Sequence, residues 1–424
     1  MTAVTIGNSV KTIEEYAFQQ CTGLTSLDIP NSVTTLGTQA FYKCTALERV
    51  TIGNSVKTLK QNEFACCYAL THVTLGDSIT TIGISAFAEC HNLMNVTIPN
   101  SVTSIGEYAF ANCYHMTNLV IPRNVSSIHD NAFFDCVGLT SITVDQNNPY
   151  YDSRDYCDAI IETANNRLIT GCMNTIIPNS VITIGSWAFQ YCAVLQEVII
   201  PNSVITIEEN AFYQCQGLEN VVIGNSVTSI GKSAFFQCFN LSSVTLGTAV
   251  KTINEYAFYD CNALTNLTIP NSVTTIGDYA FAGCNRLSTI VFGWSVKTIG
   301  EGAFEQSSNL TEVTCLAITP PTCTSCFDFS AFWSSILYVP NVSLEAYETA
   351  DCWKEFHYIE GIDVDIPGDM NGDGNLSVSD VPRLIDLILS ETVSLDEHPY
   401  ADVNGDGRIS VADISTLIQQ ILAD

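Results

Sequence analysis

Two twelve-residue segments carry residue types that could bind a metal ion. They read Asp369-Met-Asn-Gly-Asp-Gly-Asn-Leu-Ser-Val-Ser-Asp380 and Asp402-Val-Asn-Gly-Asp-Gly-Arg-Ile-Ser-Val-Ala-Asp413, and they lie 33 residues apart. Each places side-chain oxygens at positions 1, 3, 5, 9 and 12, a glycine at position 6 and a backbone carbonyl at position 7. Because Ca²⁺ prefers such hard oxygen ligands, the pattern predicts two calcium sites.

The predicted ligands fall into two equivalent sets. They are Asp369, Asn371, Asp373, Asn375, Ser377 and Asp380 in the first loop, and Asp402, Asn404, Asp406, Arg408, Ser410 and Asp413 in the second. Asn375 and Arg408 would contribute backbone carbonyls. An apolar segment after each loop, at 384–389 and 414–422, predicts a helix. An acidic loop without a metal is the alternative, and the repetition of the pattern disfavours it.

Paired loop-and-helix units without an entering helix resemble the type I dockerin, over residues 368–424. The resemblance implies attachment to a cohesin-bearing scaffold protein. In that family, loop positions 10 and 11 help to select the cohesin. Those positions are Val378, Ser379, Val411 and Ala412 in this chain. Pro382 follows the first loop closely, so the first helix must begin where its opening turn can hold a proline.

Cysteine is the second residue type whose side chain could take part in chemistry, and eleven cysteines recur at a fixed spacing. They are Cys21, Cys44, Cys67, Cys90, Cys113, Cys136, Cys192, Cys215, Cys238, Cys261 and Cys284, and Ser307 takes the twelfth place. Equivalent residues of stacked strands lie about 4.8 Å apart with parallel Cα–Cβ bonds. A disulfide needs Cβ atoms roughly 3.5–4.5 Å apart and turned toward each other. We therefore predict a buried column of reduced thiols, not a redox ladder.

Other candidate sites are weaker. Cys323 and Cys326 have the spacing of half a zinc site, but no second Cys/His pair with ligand spacing follows, so the sequence does not predict zinc. The six histidines are scattered. None has the spacing of a nucleophile and base or of a metalloprotease motif, so we expect that the protein is not an enzyme.

The element that positions these residues is a 23-residue repeat, exemplified by residues 211–233. Its phenylalanine recurs at Phe18, Phe41, Phe64, Phe87, Phe110, Phe133, Phe189, Phe212, Phe235, Phe258, Phe281 and Phe304. Apolar residues follow most of these phenylalanines at offsets of 6, 9, 11, 15 and 18. Such a strict period predicts a β-rich solenoid, in which each coil buries its apolar side against its neighbours.

The segment Leu218-Glu-Asn-Val221-Val-Ile223 fits the strand core of a leucine-rich repeat. The longer consensus, Ile-Pro-Asn-Ser-Val-Thr-x-Ile-Gly-x-x-Ala-Phe-x-x-Cys-x-x-Leu, resembles the BspA-type leucine-rich repeats, over residues 1–361. Members of that family are known mainly as surface adhesins, so the resemblance implies binding of host proteins or other cells. The predicted fold class is a leucine-rich repeat solenoid followed by a small all-α calcium-binding domain.

The repeat is interrupted twice. Residues 145–175 read as turn, strand, turn and strand, which predicts a β-hairpin in place of one coil. Cys157 and Cys172 lie just outside the two predicted strands of this hairpin. A disulfide between them stays open, although a turn at the Asn165-Asn166 pair places Cys172 opposite Ala159. We expect residues 315–361 to cap the solenoid, residues 362–367 to form a linker and residues 368–424 to form the dockerin-like domain.

Composition narrows the range of partners. The chain has 424 residues, 46% of them hydrophobic, and a formal net charge of −29 with only 15 Lys and Arg. This charge argues against nucleic acids and anionic membranes as partners, since both require basic contacts. The chain begins inside a repeat, so we expect a fragment or processed form of a secreted or cell-surface protein.

The outward-facing strand positions are mostly Thr, Ser and Asn. This composition suits any exposed strand. It could also form a hydrogen-bonding face for a protein or glycan, for which the candidate residues are Arg49, Thr71, His72, Thr74, Asn95 and Thr97. We therefore expect a binding or adhesion protein. The alternative is a structural spacer or lattice component with no dedicated ligand, and a hydrolase would need a catalytic constellation that the repeats do not show.

Overall fold

A computed structural model of the chain describes residues 2–364, 367–372, 376–390, 394–395 and 398–423. The chain divides into two compact units, Met1–Leu218 and Glu219–Asp424. Within the described ranges, no helix combines the length and apolar character needed to cross a membrane.

Short strands, joined by turns, are the main regular elements of the first unit. They are β1 (Thr12–Ile13), β2 (Ser26–Ile29), β3 (Thr35–Leu36), β4 (Arg49–Ile52), β5 (Thr58–Leu59), β6 (His72–Thr74), β7 (Thr81–Ile82), β8 (Asn95–Val96), β9 (Ser104–Ile105), β10 (Asn118–Ile121), β11 (Ser127–Ile128), β12 (Ser141–Val144), β13 (Tyr151–Asp152), β14 (Ile160–Glu162), β15 (Arg167–Thr170), β16 (Thr183–Ile184), β17 (Glu197–Ile200) and β18 (Thr206–Ile207). A 3₁₀ turn spans Arg154–Tyr156.

The strands stack in parallel with a shift of one repeat. In the sheet β2-β4-β6-β8, Ser26 lies opposite Arg49 and Leu27 opposite Val50. The sheet β5-β7-β9-β11 runs along another side of the same coils. Exposed and buried residues alternate in β2 and β4, as expected for strands with one face on the core. The solenoid predicted from the repeat is confirmed.

The third side of each coil turns at the repeated phenylalanine. The rings stack in register, with centroids 5.3 Å apart between Phe18 and Phe41 and 5.5 Å apart between Phe64 and Phe87. Residues two positions before and after a phenylalanine, such as Gln39 and Lys43, have positive φ angles of 58° and 60°. Non-glycine residues rarely adopt this conformation. Hydrogen bonds to the next coil support it, such as the one from the Lys43 N–H to the Ala65 carbonyl.

The cysteine column lies beside these rings. The thiol of Cys67 donates a hydrogen bond to the carbonyl of Phe41, and the thiol of Cys90 to that of Phe64. Most cysteines of the column are buried, as predicted, but three are partly exposed: Cys21, Cys136 and Cys192. Cys21 lies in the first coil and the other two flank the inserted hairpin, where the column lacks a neighbouring coil on one side.

The predicted hairpin is present. Strands β13, β14 and β15 pair antiparallel, and β15 then pairs parallel with β16 to rejoin the array. The Arg167 guanidinium lies between the carboxylates of Asp130 and Glu208, with its Nη2 atom 2.7 Å from an oxygen of each. Cys157 and Cys172 are separate buried thiols in this structure, and the Cys172 thiol points to the Asp158 carbonyl.

The second unit continues with the same kind of coil. Its strands are β19 (Asn220–Ile223), β20 (Ser229–Ile230), β21 (Ser243–Thr245), β22 (Thr252–Ile253), β23 (Asn266–Ile269), β24 (Thr275–Ile276), β25 (Thr289–Phe292), β26 (Thr298–Ile299), β27 (Glu312–Cys315), β28 (Thr322–Cys323), β29 (Ile336–Pro340) and β30 (Tyr358–Ile362). Its helices are α1 (Ala331–Ser334), α2 (Leu344–Thr349), α3 (Asp380–Leu389) and α4 (Val411–Ala423), with 3₁₀ turns at Asn341–Ser343, Trp353–Glu355 and Pro399–Ala401.

The predicted cap closes the core with aromatic residues. Strand β29 and helix α2 lie where the sequence predicts a strand and a short helix. The sequence does not predict β30, which pairs with β29 and ends at Ile362, the first residue of the predicted linker. Trp353 and Tyr347 are fully buried, and their rings pack edge to face. The Trp353 indole N–H donates to the Pro321 carbonyl, so the polar atom of this buried ring is satisfied.

Candidate calcium loops and strand face

The second loop gathers its oxygen atoms around its own backbone N–H groups. The N–H of Asp406 is shared between Oδ1 of Asp402, at 3.1 Å, and Oδ1 of Asn404, at 2.8 Å. The N–H of Gly407 donates to the other oxygen of Asp402 at 2.8 Å. Gly407 has a φ of 82°, a value that favours glycine, at the predicted sharp bend. Side-chain oxygens of Asp402 and Asn404, two of the predicted ligands, thus converge on the same N–H group.

The last carboxylate of the second loop joins its two ends. One oxygen of Asp413 accepts the N–H of Asn404 at 3.1 Å, and the other accepts the N–H of Ser410 at 2.7 Å. Asp413 is fully buried although it lies in the first turn of α4. Arg408, whose backbone carbonyl is a predicted ligand, lies between Asn404 and Ser410 in the chain.

The described part of the first loop has the same arrangement. Asp380 is fully buried, and its two oxygens accept the N–H groups of Asn371 at 3.1 Å and Ser377 at 2.9 Å. One oxygen of Asp369 accepts the N–H of Gly372 at 2.7 Å. Two further predicted ligands, Asp373 and Asn375, lie outside the described residues.

Helices α3 and α4 pack together and hold the two loops. Their small core centres on Leu384, Ala401, Val403 and Leu417. The N–H of Gly368 donates to the Tyr400 carbonyl at 2.7 Å, which joins the start of the first loop to the start of the second. Pro382 is the third residue of α3, within the first turn, where its missing N–H breaks no intrahelical hydrogen bond.

The donor chemistry fits a calcium ion. Burial raises the pKa of Asp402, and the carboxylates of Asp413 and Asp406 add to the rise, whereas the N–H groups of Gly407 and Asp406 oppose it. Like charges therefore crowd together in the loop, and a divalent cation would relieve their repulsion. Carboxylate, amide and hydroxyl oxygens are the ligands that Ca²⁺ takes.

The four residues predicted to select a cohesin lie at equivalent places. Val378 and Ser379 precede α3, and Val411 and Ala412 begin α4. All four are exposed, with 73% of Val378 and 68% of Val411 accessible to solvent. Val378 and Val411 thus place an exposed apolar side chain at position 10 of each loop.

The strand face is formed by the outward-facing residues of β2, β4, β6 and β8 and the residues directly beside these strands. Arg49, His72 and Asn95 occupy directly paired positions in three successive strands, so the structure brings them into one row. Thr74 and Thr97 are also exposed. Thr71 is half-buried because its hydroxyl donates to the Glu48 carbonyl at 3.1 Å, and the same oxygen lies 2.8 Å from Nδ1 of His72.

One cluster of cysteines in the cap corresponds to no sequence motif. Cys352 lies beside Cys323 and Cys326, with all three sulfur atoms within 4.8 Å of one another. Cys352 follows Cys326 by 26 residues in a region without the repeat, so the spacing of these cysteines in the sequence does not indicate that they meet.

Comparisons with known families agree with both parts of the chain. Residues 1–116, 58–167, 168–263 and 251–345 match the BspA type leucine-rich repeat region. Residues 367–422 match the dockerin type I domain. Type I dockerins typically bind calcium, and both families are typically non-enzymatic binding modules. No curated protein matches the chain.

Solved structures show the same architecture. A leucine-rich cell surface protein of Faecalibacterium prausnitzii is 30% identical, with a TM-score of 0.54 over 74% of this chain and 88% of that chain. A leucine-rich repeat protein of Bacteroides ovatus is 27% identical, with a TM-score of 0.50 over 72% and 82% of the two chains. The pneumococcal vaccine antigen PcpA, at 19% identity, shares the fold, with a TM-score of 0.57 over 85% and 94%.

The repeat family model matches most of the residues, and the Faecalibacterium protein is 30% identical over 88% of its own chain. The chain therefore belongs to the BspA-type leucine-rich repeat family and carries a type I dockerin domain at residues 367–422.

Proposed function

We propose that the protein is a secreted or cell-surface binding protein whose dockerin attaches it to a cohesin-bearing scaffold in a calcium-dependent way. The observation that carries this proposal is the shared geometry of the two loops. In each, the final aspartate is buried and accepts the N–H groups of the third and ninth loop residues. Such duplication is expected of a module that binds two ions.

Calcium would be held by the side-chain oxygens of loop positions 1, 3, 5 and 12, by the carbonyl at position 7 and by the serine at position 9. When bound, the ion supplies positive charge that offsets the crowded carboxylates. The residues of the chain supply the rest. Asp380 and Asp413 fix the starts of α3 and α4, and the exposed Val378 and Val411 lie two residues before these aspartates. Calcium and cohesin binding are thereby coupled.

The solenoid would present the strand face to a protein or glycan. Support comes from the row formed by Arg49, His72 and Asn95, which places a cation, an imidazole and an amide side by side among threonine hydroxyls. This mixture can donate and accept hydrogen bonds along a flat surface. We propose no catalytic role for the protein, because both families are typically binding modules.

Attachment can be tested by passing the full chain over a panel of immobilised type I cohesins, with Ca²⁺ and then with a chelator. We expect retention on at least one cohesin in Ca²⁺ and release by the chelator. The double variant Asp369→Ala, Asp402→Ala should not be retained in either condition. A chain that binds no cohesin, or that stays bound without Ca²⁺, would contradict the proposal.

A further inference from the structure

Three cysteines of the cap converge from two separate segments. Cys323 ends strand β28 and is joined by a disulfide to Cys326, three residues later. Cys352 precedes the 3₁₀ turn Trp353–Glu355, and its Sγ lies 2.7 Å from Sγ of Cys323 and 3.7 Å from Sγ of Cys326. A thiol and a disulfide thus share one site.

The backbone at Cys352 lies in the left-handed region, with a φ of 70°, at a position outside the pattern of the repeat. Cys323 and Cys326 are buried, and the fully buried Trp353 follows Cys352 in the chain. Strained backbone held by buried neighbours is typical of a preorganised site.

We propose that the thiol form of this cluster binds a thiophilic divalent cation such as Zn²⁺ through Cys323, Cys326 and Cys352. Zinc–thiolate bonds of about 2.3 Å in a tetrahedral site place the sulfur atoms roughly 3.8 Å apart. The distance between Cys326 and Cys352 already has this value, at 3.7 Å. Cys323 must move away from Cys352 by about 1 Å, which cleavage of its disulfide permits. The fourth position is left for water.

The disulfide and the cation exclude each other. A low-molecular-weight thiol reductant cleaves the Cys323–Cys326 bond by supplying two electrons and two protons, and is itself converted to its disulfide. The three cysteine thiols then lose three protons as the cation binds their sulfur atoms. In the oxidised form only the Cys352 thiol remains, and one thiolate cannot hold the ion. The bound cation would join the turn after β28 to the segment before Trp353.

Cobalt titration of the full chain tests this site. The chain is saturated with Ca²⁺ to occupy the dockerin, reduced, freed of reductant under inert gas and titrated with Co²⁺ while thiolate-to-cobalt charge-transfer absorption is recorded. We expect one equivalent of Co²⁺, an intensity corresponding to three thiolates and displacement by Zn²⁺. The untreated disulfide form should give no such band.

Matched variants separate the cluster from the other thiols. Cys352→Ser should weaken Co²⁺ binding at least tenfold and lower the charge-transfer intensity by about one third. Cys66→Ser removes a partly exposed cysteine outside both the cluster and the column, and should leave the titration unchanged. Independently of folding of the variants, Zn²⁺ should protect Cys323, Cys326 and Cys352 of the reduced wild-type chain from alkylation, as mapped by mass spectrometry.

The proposal is overturned if the reduced chain binds no Co²⁺ at one equivalent, if Cys352→Ser retains the full band, or if Zn²⁺ leaves alkylation of the three cysteines unchanged.

Discussion

The hydroxyl of Ser307 lies 3.5 Å from the carbonyl oxygen of Phe281 and donates to it. One coil earlier, the thiol of Cys284 makes the same contact with the carbonyl of Phe258. The column of cysteines therefore does more than fill space, because its thiols give buried phenylalanine carbonyls a second hydrogen bond, beside the one from a backbone N–H three residues later. Serine keeps that donor, which explains why the column can end in a serine.

This relationship predicts opposite tolerances to two substitutions of Cys113, whose thiol donates to the Phe87 carbonyl at 3.4 Å. Cys113→Ser keeps a donor and should be tolerated better than Cys113→Val, which fits the space but loses one hydrogen bond, worth about 0.5–1.5 kcal/mol. The Phe87 carbonyl would keep its other bond, from the N–H of Cys90. Thermal unfolding of both variants would measure the difference. Equal or reversed melting temperatures would show that the thiol acts only by packing.

Glu63 is a buried acid at a position where neighbouring coils have alanine, such as Ala40 and Ala86. Among the described residues, its carboxyl oxygens have no hydrogen-bond partner of normal geometry. Burial raises the pKa of Glu63 to about 8, and the nearby backbone N–H and charge of Lys60 only partly oppose the rise. The folded chain thus binds this proton more tightly than the unfolded chain does.

Stability should therefore fall as the pH rises from about 4.5 toward 8, by up to about 1.4 kcal/mol per pH unit from this residue. Glu63→Ala should remove that fall and raise the melting temperature at pH 7 more than at pH 4.5. Melting curves of both proteins across this range give the comparison. A constant difference between them at every pH would contradict the assignment.

Calcium removal should unfold the dockerin and spare the solenoid. The core of the small domain is limited to Leu384, Ala401, Val403, Leu417 and their partly buried neighbours, too little to offset repulsion between the loop carboxylates. Calorimetry of the full chain should show two transitions, of which only the smaller moves with chelator. Asp369→Ala with Asp402→Ala should imitate the chelator, and Asp380→Ala should impair the first loop alone. A chelator-independent profile would refute the calcium sites.

Arg167 should anchor the inserted hairpin, because it is only 16% exposed and pairs with both Asp130 and Glu208. Burial would raise the pKa of Glu208, but the hydrogen bonds and charge of Arg167 lower it overall. Arg167→Met leaves two half-exposed carboxylates unpaired, and we expect a loss of about 1–3 kcal/mol after allowance for solvent screening. Because the pKa of Glu208 in the folded chain lies below its ordinary value of 4.5, the loss should shrink only as the pH falls below that value. Denaturant titrations at pH 7 and at about pH 3 measure this change.

Ligand binding should depend on the strand face. Replacing Thr71, Thr74 and Thr97 by Lys should weaken capture by arrayed glycans or extracellular-matrix proteins. Stability should change by about 0.5 kcal/mol at each of the exposed Thr74 and Thr97, and by about 0.5–1.5 kcal/mol at Thr71, which loses its hydrogen bond to the Glu48 carbonyl. The matched control replaces exposed threonines on the short-strand side, Thr35, Thr58 and Thr103. Binding lost in the control and kept in the first variant would place the ligand on the other side of the coil.

Much of the architecture could be predicted because the repeat gives the same local signal many times. The phenylalanine stack, the hairpin and the cap strand at Ile336–Pro340 all follow from periodicity and its interruptions. The second calcium loop likewise has the hydrogen bonds that its motif implies. These features are encoded within one coil or one loop, where the distance along the chain limits the distance in space.

Other features could not be predicted because they depend on contacts between distant or irregular segments. Cys352 reaches Cys323 through the fold of the cap, which has no period. The thiol-to-carbonyl bonds span 26 residues and need the stacking offset between coils. Glu63 is charged and larger than the alanines at the equivalent position of neighbouring coils, so the repeat pattern does not predict that it is buried.

The hydrogen bonds of the coils also determine how the length of the molecule can change. Side chains such as Thr80 and Cys90 reach backbone carbonyls 23 and 26 residues earlier, which are always in the preceding coil. Removing any 23 consecutive residues between β2 and β11 would therefore rejoin equivalent positions and shorten the stack by one step. The antiparallel hairpin is the exception, since no translation superimposes it on its neighbours. The length of the array can therefore change in steps of 23 residues, whereas the hairpin cannot be removed in this way.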